Sequence, residues 1–198
     1  MPSGEIRPAD VADLAVAKAD KRQPFVSQQF HYTLEAREAE YELVPVSIDQ
    51  GLGILVWSPI AGGLLSGKFR RGKKEPAGTR HFGRKHREPP IYDEERLFDI
   101  VEVLVAIGKE RKCSAARVAL AWLLHQPGVT SVIAGGRTRE QFADNLGAAD
   151  LKLDSDELTR LDTVSRPLLR YPYWQQAWSS ADRLSPADLS LIGKYLEE

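Results

Sequence analysis

Apolar positions recur along the chain in two rhythms, and the rhythm decides the element. "RPADVADLAVAKADKRQ" places Pro8 early and spaces Val11, Leu14 and Ala15 at helical intervals, which predicts a helix. "FVSQQ", residues 25–29, predicts a short strand. "EAREAEYELVPVSIDQG" reads as a second helix that stops at Gly51, with Pro45 kinking it or ending a turn early. "ILVW" is apolar without alternation, as a strand covered on both faces should be. "DEERLFDIVEVLVAIGKERK" is amphipathic, with acids at its start and bases at its end, as the helix dipole prefers. Ser114 suits the N-cap of the next helix, "AARVALAWLLHQ", which Pro127 and Gly128 should end. "VTSVIAGG" is a third apolar strand, and Thr138 can cap the helix "REQFADNLGAA" behind it. Asp154 and Glu157 have capping-box spacing at the head of "DSDELTRLDTVS".

The resulting order is strand, helix, strand, two helices, strand, helix. Such alternation predicts an α/β fold of parallel strands joined by crossover helices. Residues 58–90 form a long loop rich in Gly, Pro and basic residues, and loops of that length are functional or disordered. The tail from Arg166, "RPLLRYPYWQQAW", is aromatic and Pro-rich and should pack across the outside of the body. The last stretch, "SPADLSLIGKYLEE", specifies a helix only weakly.

Composition narrows the function classes. With 198 residues the chain can build one ordinary domain with its own core. A formal net charge of −1 gives no global electrostatic case for nucleic acid or an anionic membrane. The basic run "KFRRGKK…RHFGRKHR" is local and reads as a solvated loop. The single cysteine, Cys113, rules out an internal disulfide and makes a reducing compartment, the cytoplasm, the default. It reads as a helix-junction residue, since nothing nearby in sequence supplies a base. The N-terminus lacks the apolar core of a signal peptide, and no apolar run is long enough to span a bilayer.

In parallel α/β folds the chemistry gathers where strands deliver their C-terminal ends into loops. The first end delivers Gln28 and Gln29; the second Trp57, Ser58 and the Gly62–Gly63 loop; the third Gly135, Gly136 and Arg137. The third reads as an anion site, with glycines that admit close approach, a helix N-terminus and a forked cation. Gln141 and Asn145 follow Arg137 by four and eight residues and can share its helix face. Taken alone, the same residues also read as a glycine turn with a solvated arginine. Trp57 alone reads as a core tryptophan. Beside Gln29 on the neighbouring strand it suggests a second role, in which a flat heteroaromatic ring stacks on the indole while the glutamine binds an amide on that ring.

Two long stretches, "QFHYTLEAREAEYELVPVSIDQGLGILVWSPIAGGLLSGKF" and "GVTSVIAGGRTREQFADNLGAADLKL", closely resemble the C-terminal part of aldo-keto reductases. The run WSPIAGGLLSGK and the pattern G-x-R-x-x-x-Q-x-x-x-N carry the resemblance, which covers about residues 8–178 and leaves 179–198 as an extension. It implies a partial (β/α)₈ TIM barrel, the C-terminal portion, with three parallel strands resembling strands six to eight and flanking helices. It implies NADP(H) as cofactor and an aldehyde or ketone as substrate. Carried over, Gln29 binds the nicotinamide carboxamide and Trp57 stacks on its ring. Ser58, Ile60, Ala61 and Gly63 lie along the pyrophosphate, with Lys68 nearby. Gly135, Arg137, Gln141, Asp144 and Asn145 hold the adenosine and its 2′-phosphate.

The family catalyses with an Asp, a Tyr, a Lys and a His on earlier strands. Here 24 residues precede the first strand, so the resemblance implies that the cofactor part is present and the catalytic tetrad is not. Tyr32, Tyr41 and Tyr92 are substitutes by residue type only, and His31, His81, His86 and His125 match no catalytic position. His31 should fall just beyond a strand end, as a hydrogen-bonded loop residue. Three strands of a barrel would expose two edges and an apolar inner face, and such edges invite self-association. The expectations are therefore a truncated NADP(H)-dependent oxidoreductase without turnover of its own. The alternatives are a non-catalytic NADPH-binding or regulatory module, or a fragment with no function. No metal site is expected, and Arg80 in the long loop is a further candidate for a phosphate contact.

Overall fold

The computed structural model describes residues 8–74, 77–79 and 90–196. Arg80, His81 and His86 lie outside them. Three parallel strands, β1 (Ser27–His31), β2 (Gly53–Trp57) and β3 (Val129–Ile133), form one sheet in chain order. Helix α1 (Pro8–Ala19) precedes it, and α2 (Leu43–Gln50) crosses from β1 to β2. Helices α3 (Glu94–Glu110) and α4 (Ala115–Leu124) cross from β2 to β3, and α5 (Arg139–Leu146) and α6 (Ser155–Ser165) follow. The chain ends in α7 (Tyr173–Ser179) and α8 (Pro186–Leu196), with α8 packed on α2. The fold is the expected α/β arrangement, a three-stranded parallel sheet flanked by helices as in part of a TIM barrel. No helix among the described residues is long and apolar enough to cross a membrane.

The sheet has two unlike faces. Gln28 and Phe30 of β1 and Ile54 and Val56 of β2 are buried against the helices. Phe30, Ile54 and Val56 join Leu97, Ile100, Leu104, Val118, Trp122 and Leu161 in one core. Residues of the opposite parity, among them Gln29, His31, Leu55, Trp57, Ser131 and Ile133, share the other face. There Gln29 and Ser131 are exposed, and Ile133 keeps 47% of its surface in solvent. Among the described residues β1 and β3 are the outer strands of the sheet, and this inner face is partly exposed. β3 is correspondingly less buried than its apolar sequence suggests.

Most helix ends follow their caps. Asp93, Ser114 and Thr138 each accept a hydrogen bond from a first-turn N–H, and Asp154 and Glu157 form the full capping box. Two expectations are corrected. Residues 35–42 are not α-helical. The Thr33 hydroxyl accepts the N–H groups of Glu35 and Ala36, at 3.2 and 2.9 Å, and closes a turn there. A short 3-10 turn at Glu38–Glu40 follows, and α2 begins only at Leu43. Pro45 then sits in the first turn of α2, where its missing N–H costs nothing. The first strand runs two residues later than expected, so His31 ends β1 and is not a loop residue.

The turn of residues 35–42 stays in place because its charges point inward. Arg37, 1% exposed, donates to both carboxylate oxygens of Glu40 at 2.7 and 2.9 Å, to Ser165 Oγ at 2.8 Å, and pairs with Asp162 at 2.8 Å. The Tyr32 hydroxyl donates to Glu40 at 2.5 Å, and Lys194 of α8 lies 3.4 Å from Asp162. Burial pushes the Asp162 carboxyl up, but Arg37, Lys194 and Arg166 outweigh it and hold the group below its ordinary range. This cluster ties the loop after β1 to α6 and α8. In contrast, Tyr41 and Tyr173 fasten the tail outside, their rings stacked 5.3 Å apart, with Tyr41 donating to the Leu168 carbonyl at 2.6 Å.

Two outcomes follow in urea and thermal melts. Arg37→Met leaves Glu40 and Asp162 buried without their main partner and should cost about 3–5 kcal/mol. Arg71→Met, which removes exposed pairs with Glu95 and Asp99 and a cation–π contact on Phe98, should cost about 1 kcal/mol. Equal losses would contradict the inward-facing cluster. The second concerns Glu35, which is 7% exposed. Burial, with Glu38 adding and Arg96 opposing, raises its carboxyl from 4.5 to about 7. A carboxyl raised in the folded state gives stability that is full below the unfolded pKa and is lost as pH rises through the folded one. Glu35→Gln should therefore match the parent protein near pH 4 and melt higher than it at pH 8; no difference at pH 8 would contradict the burial.

Candidate functional site

The C-terminal ends of β2 and β3 open onto one cleft of about 950 Å³. Its β2 side is built by a chain reversal. Beyond Trp57 the backbone enters the left-handed region at Ser58 (φ 51°) and Ala61 (φ 50°), and again at Gly62 (64°) and Gly63 (103°). Two of these are not glycine, so the reversal carries backbone strain, the kind held in place only where surrounding packing insists on it. Ala61, Leu64 and Leu65 supply that packing and are fully buried. The Ser58 side chain accepts from the Gly62 N–H at 3.2 Å, and Ala61 and Gly63 donate to the carbonyls of Ser58 and Ile60 at 2.8 and 2.9 Å.

The β3 side is simpler. The strand runs into Gly135, Gly136 and Arg137, and α5 starts behind the Thr138 cap. Gly136 packs tightly, since a Cβ there would lie 2.7 Å from the Phe142 nitrogen. A Cβ at Gly135 or Gly63 would meet nothing within 4 Å, so both α-carbons face open space in the cleft. Gln141 Oε1 accepts the Arg137 N–H at 3.0 Å, and Asn145 Nδ2 donates to the Gly135 carbonyl at 3.0 Å. The two side chains therefore fold back onto the turn. Arg137 itself precedes the helix and does not share its face, a correction to the spacing argument.

Ten of the twelve residues expected from sequence line this cleft: Trp57, Ser58, Ile60, Gly63, Lys68, Gly135, Arg137, Gln141, Asp144 and Asn145. Ala61 lies beneath it, its side chain buried and its N–H engaged in the turn. Gln29 is outside the cleft, on the inner face of the sheet. It pairs with Leu55, one step below Trp57 on the same face, about 8 Å away by strand geometry. Asp144 lines the cleft but its carboxylate is occupied: Arg117 pairs with it at 2.8 Å and Ser114 donates to it. Sequence reasoning missed Ser114 and Arg117 in this role, and also Ser66, Phe69 and Thr79 on the wall. Ser114 was legible only as a cap, which it also is.

Charge in the cleft is positive on balance. Among the described residues Lys68 and Arg137 line it, and the one carboxylate, Asp144, is neutralised by Arg117. Arg137 Nη1 donates to the Gly78 carbonyl at 2.7 Å and so draws residues 77–79 of the long loop against the opening. Within the described basic run Lys73 and Lys74 are exposed, as a solvated loop requires, while the two arginines are drawn to a helix. Arg70 pairs with Glu102, and Arg71 with Glu95 and Asp99, all on α3.

The residues considered as catalytic substitutes are elsewhere. Tyr32 is buried on Glu40, Tyr41 holds the tail, and Tyr92 is 89% exposed. His125 Nδ1 lies 2.8 Å from the Ala121 carbonyl. Burial pushes the Cys113 thiol up, away from the reactive thiolate.

Comparison with known proteins follows the same lines. The sequence model of the aldo/keto reductase family matches residues 6–166. An uncharacterized oxidoreductase of Bacillus subtilis (strain 168), YrpG, is 40% identical over 152 residues, which is 76% of this chain and 44% of that protein. Uncharacterized oxidoreductases of Mycobacterium bovis (Mb2320) and Mycobacterium tuberculosis (Rv2298) are each 34% identical over 177 residues, 84% of this chain and 52% of theirs. The chain thus spans about half the length of the curated relatives it matches. With the parallel sheet, the glycine reversal after β2 and the Gly135–Arg137 turn together on one cleft, the chain belongs to the aldo/keto reductase family.

Proposed function

We propose that the chain forms the cofactor-holding part of an NADP(H)-dependent aldo-keto reductase that acts on aldehydes or ketones in the cytoplasm. The observation that carries this reading is the cleft itself. Two glycine turns line it, with open space at Gly63 and Gly135, and among the described residues its uncompensated charge is cationic. Backbone that a Cβ does not shield, flanked by Lys68 and Arg137, suits phosphate groups.

In this reading Ser58, Ile60 and Gly63 follow the pyrophosphate, with Ala61 supporting the turn from below. Lys68 adds charge at one side. Arg137 takes the 2′-phosphate, and Gln141 and Asn145 hold the turn that presents it. Asp144 acts from behind by anchoring Arg117 and Ser114. Trp57 offers a flat apolar surface to the nicotinamide, and Gln29, on the same sheet face, its amide to the carboxamide. The bound dinucleotide supplies the hydride that reduces a carbonyl carbon.

Arg137 must change partners for this. Its guanidinium now meets a neutral carbonyl at Gly78, and a phosphate oxygen is the stronger acceptor. No tyrosine of the chain lines the cleft, and none is assigned as the proton donor of the reaction. The open edges of β1 and β3 make self-association the expected behaviour of the chain in isolation.

Titration of the purified chain followed by tryptophan fluorescence tests the reading. NADPH should quench saturably. Arg137→Ala should weaken NADPH by about tenfold or more and NADH by much less, since only the former has the 2′-phosphate and a charge-assisted bond contributes about 1.5–3 kcal/mol. Equal effects on the two cofactors would contradict the role given to Arg137.

A further inference from the structure

His31 stands where the proposed cofactor site needs a wall. It closes β1 on the inner face and is the register partner of Trp57 across the β1–β2 pairing. The two ring centroids lie 4.7 Å apart with planes 38° to one another. His31 Nδ1 is 3.3 Å from the Trp57 carbonyl oxygen, so a proton on that nitrogen donates to it. Both rings are half-buried. Gln29 sits two residues back along the same strand and face.

An indole at a strand end has two torsions to fix, and a neighbour on one side removes most of that freedom. Paired aromatic rings at this separation attract each other beyond the area they bury. Trp57 stays half-buried and lines the cleft, and Gln29 lies exposed on the same face of the sheet. We propose that His31 is a positioning residue for a flat heteroaromatic ring: its imidazole packs against Trp57 and sets the indole to receive the nicotinamide of the dinucleotide. The inference rests on the cofactor reading above and extends it to a residue outside the family motifs quoted from the sequence. It assigns His31 no part in proton transfer, because its ring is turned to Trp57.

Two probes separate the contributions when the full 198-residue chain is titrated. NADPH carries both the nicotinamide and the 2′-phosphate, whereas adenosine 2′,5′-bisphosphate carries only the phosphate end. His31→Ala should weaken NADPH binding by about three- to tenfold, as expected for the loss of one pre-set side chain. It should leave the bisphosphate unchanged. His31→Phe, which keeps a flat ring and lacks the nitrogen, should recover most of the NADPH affinity. If His31→Ala weakens both ligands alike, the residue is a general structural one and the inference fails. It fails equally if NADPH binds the alanine variant as tightly as the parent, or if the phenylalanine variant is as weak as the alanine one. A parent chain that binds neither ligand overturns the cofactor reading itself, and this inference with it.

Discussion

The parallel pairing of β2 between β1 and β3 is the constraint on which the rest depends. It aligns three C-terminal strand ends on one side of the sheet, so that every loop of interest starts there. It also fixes parity. Once Ile54 and Val56 face the helices, Leu55 and Trp57 must face the other way, and the register brings His31 and Gln29 to that same face. A slip of one residue would send Trp57 into the helix layer and leave Val56 on the inner face. The core under β2, with Leu97, Ile100 and Leu104 of α3, holds that parity.

From this follows a division of labour. The helix side of the sheet is a finished core, sealed at one end by the Arg37–Glu40–Asp162 cluster. The other side is partly exposed: polar at Gln29 and Ser131, apolar at Ile133, and bounded by β1 and β3, the outer strands among the described residues. The cleft lies at the boundary. It takes its rigidity from the core beneath the reversal at Ala61–Leu65 and its openness from the glycines above. The strained Ser58 and Ala61 conformations belong with that arrangement, since such backbone persists where packing over-determines it.

Much of this was legible in the sequence, for physical reasons. Caps depend on local chemistry, so Ser114, Thr138 and the Asp154–Glu157 box could be read directly. The cleft was legible because glycine pairs and a following arginine are uncommon at strand ends without cause. The errors came where distant residues decide. The run of residues 35–42 looks helical by composition, but Asp162 and Ser165, more than a hundred residues on, draw Arg37 inward. The arginines after Lys68 look solvated until α3 supplies Glu95, Asp99 and Glu102. The first strand lies two residues later than its sequence suggests, because Phe25 and Val26 look like its start, whereas the sheet register begins at Ser27 and runs to His31.

The most direct measurement is amide hydrogen exchange on the purified chain with and without saturating NADPH. If the two glycine turns form a dinucleotide cradle, amides in residues 61–67 and 135–141 should gain protection together. Those of α6 and α8, on the far side of the core, should not change. Protection confined to other segments, or none at either turn, would contradict the assignment of the cleft.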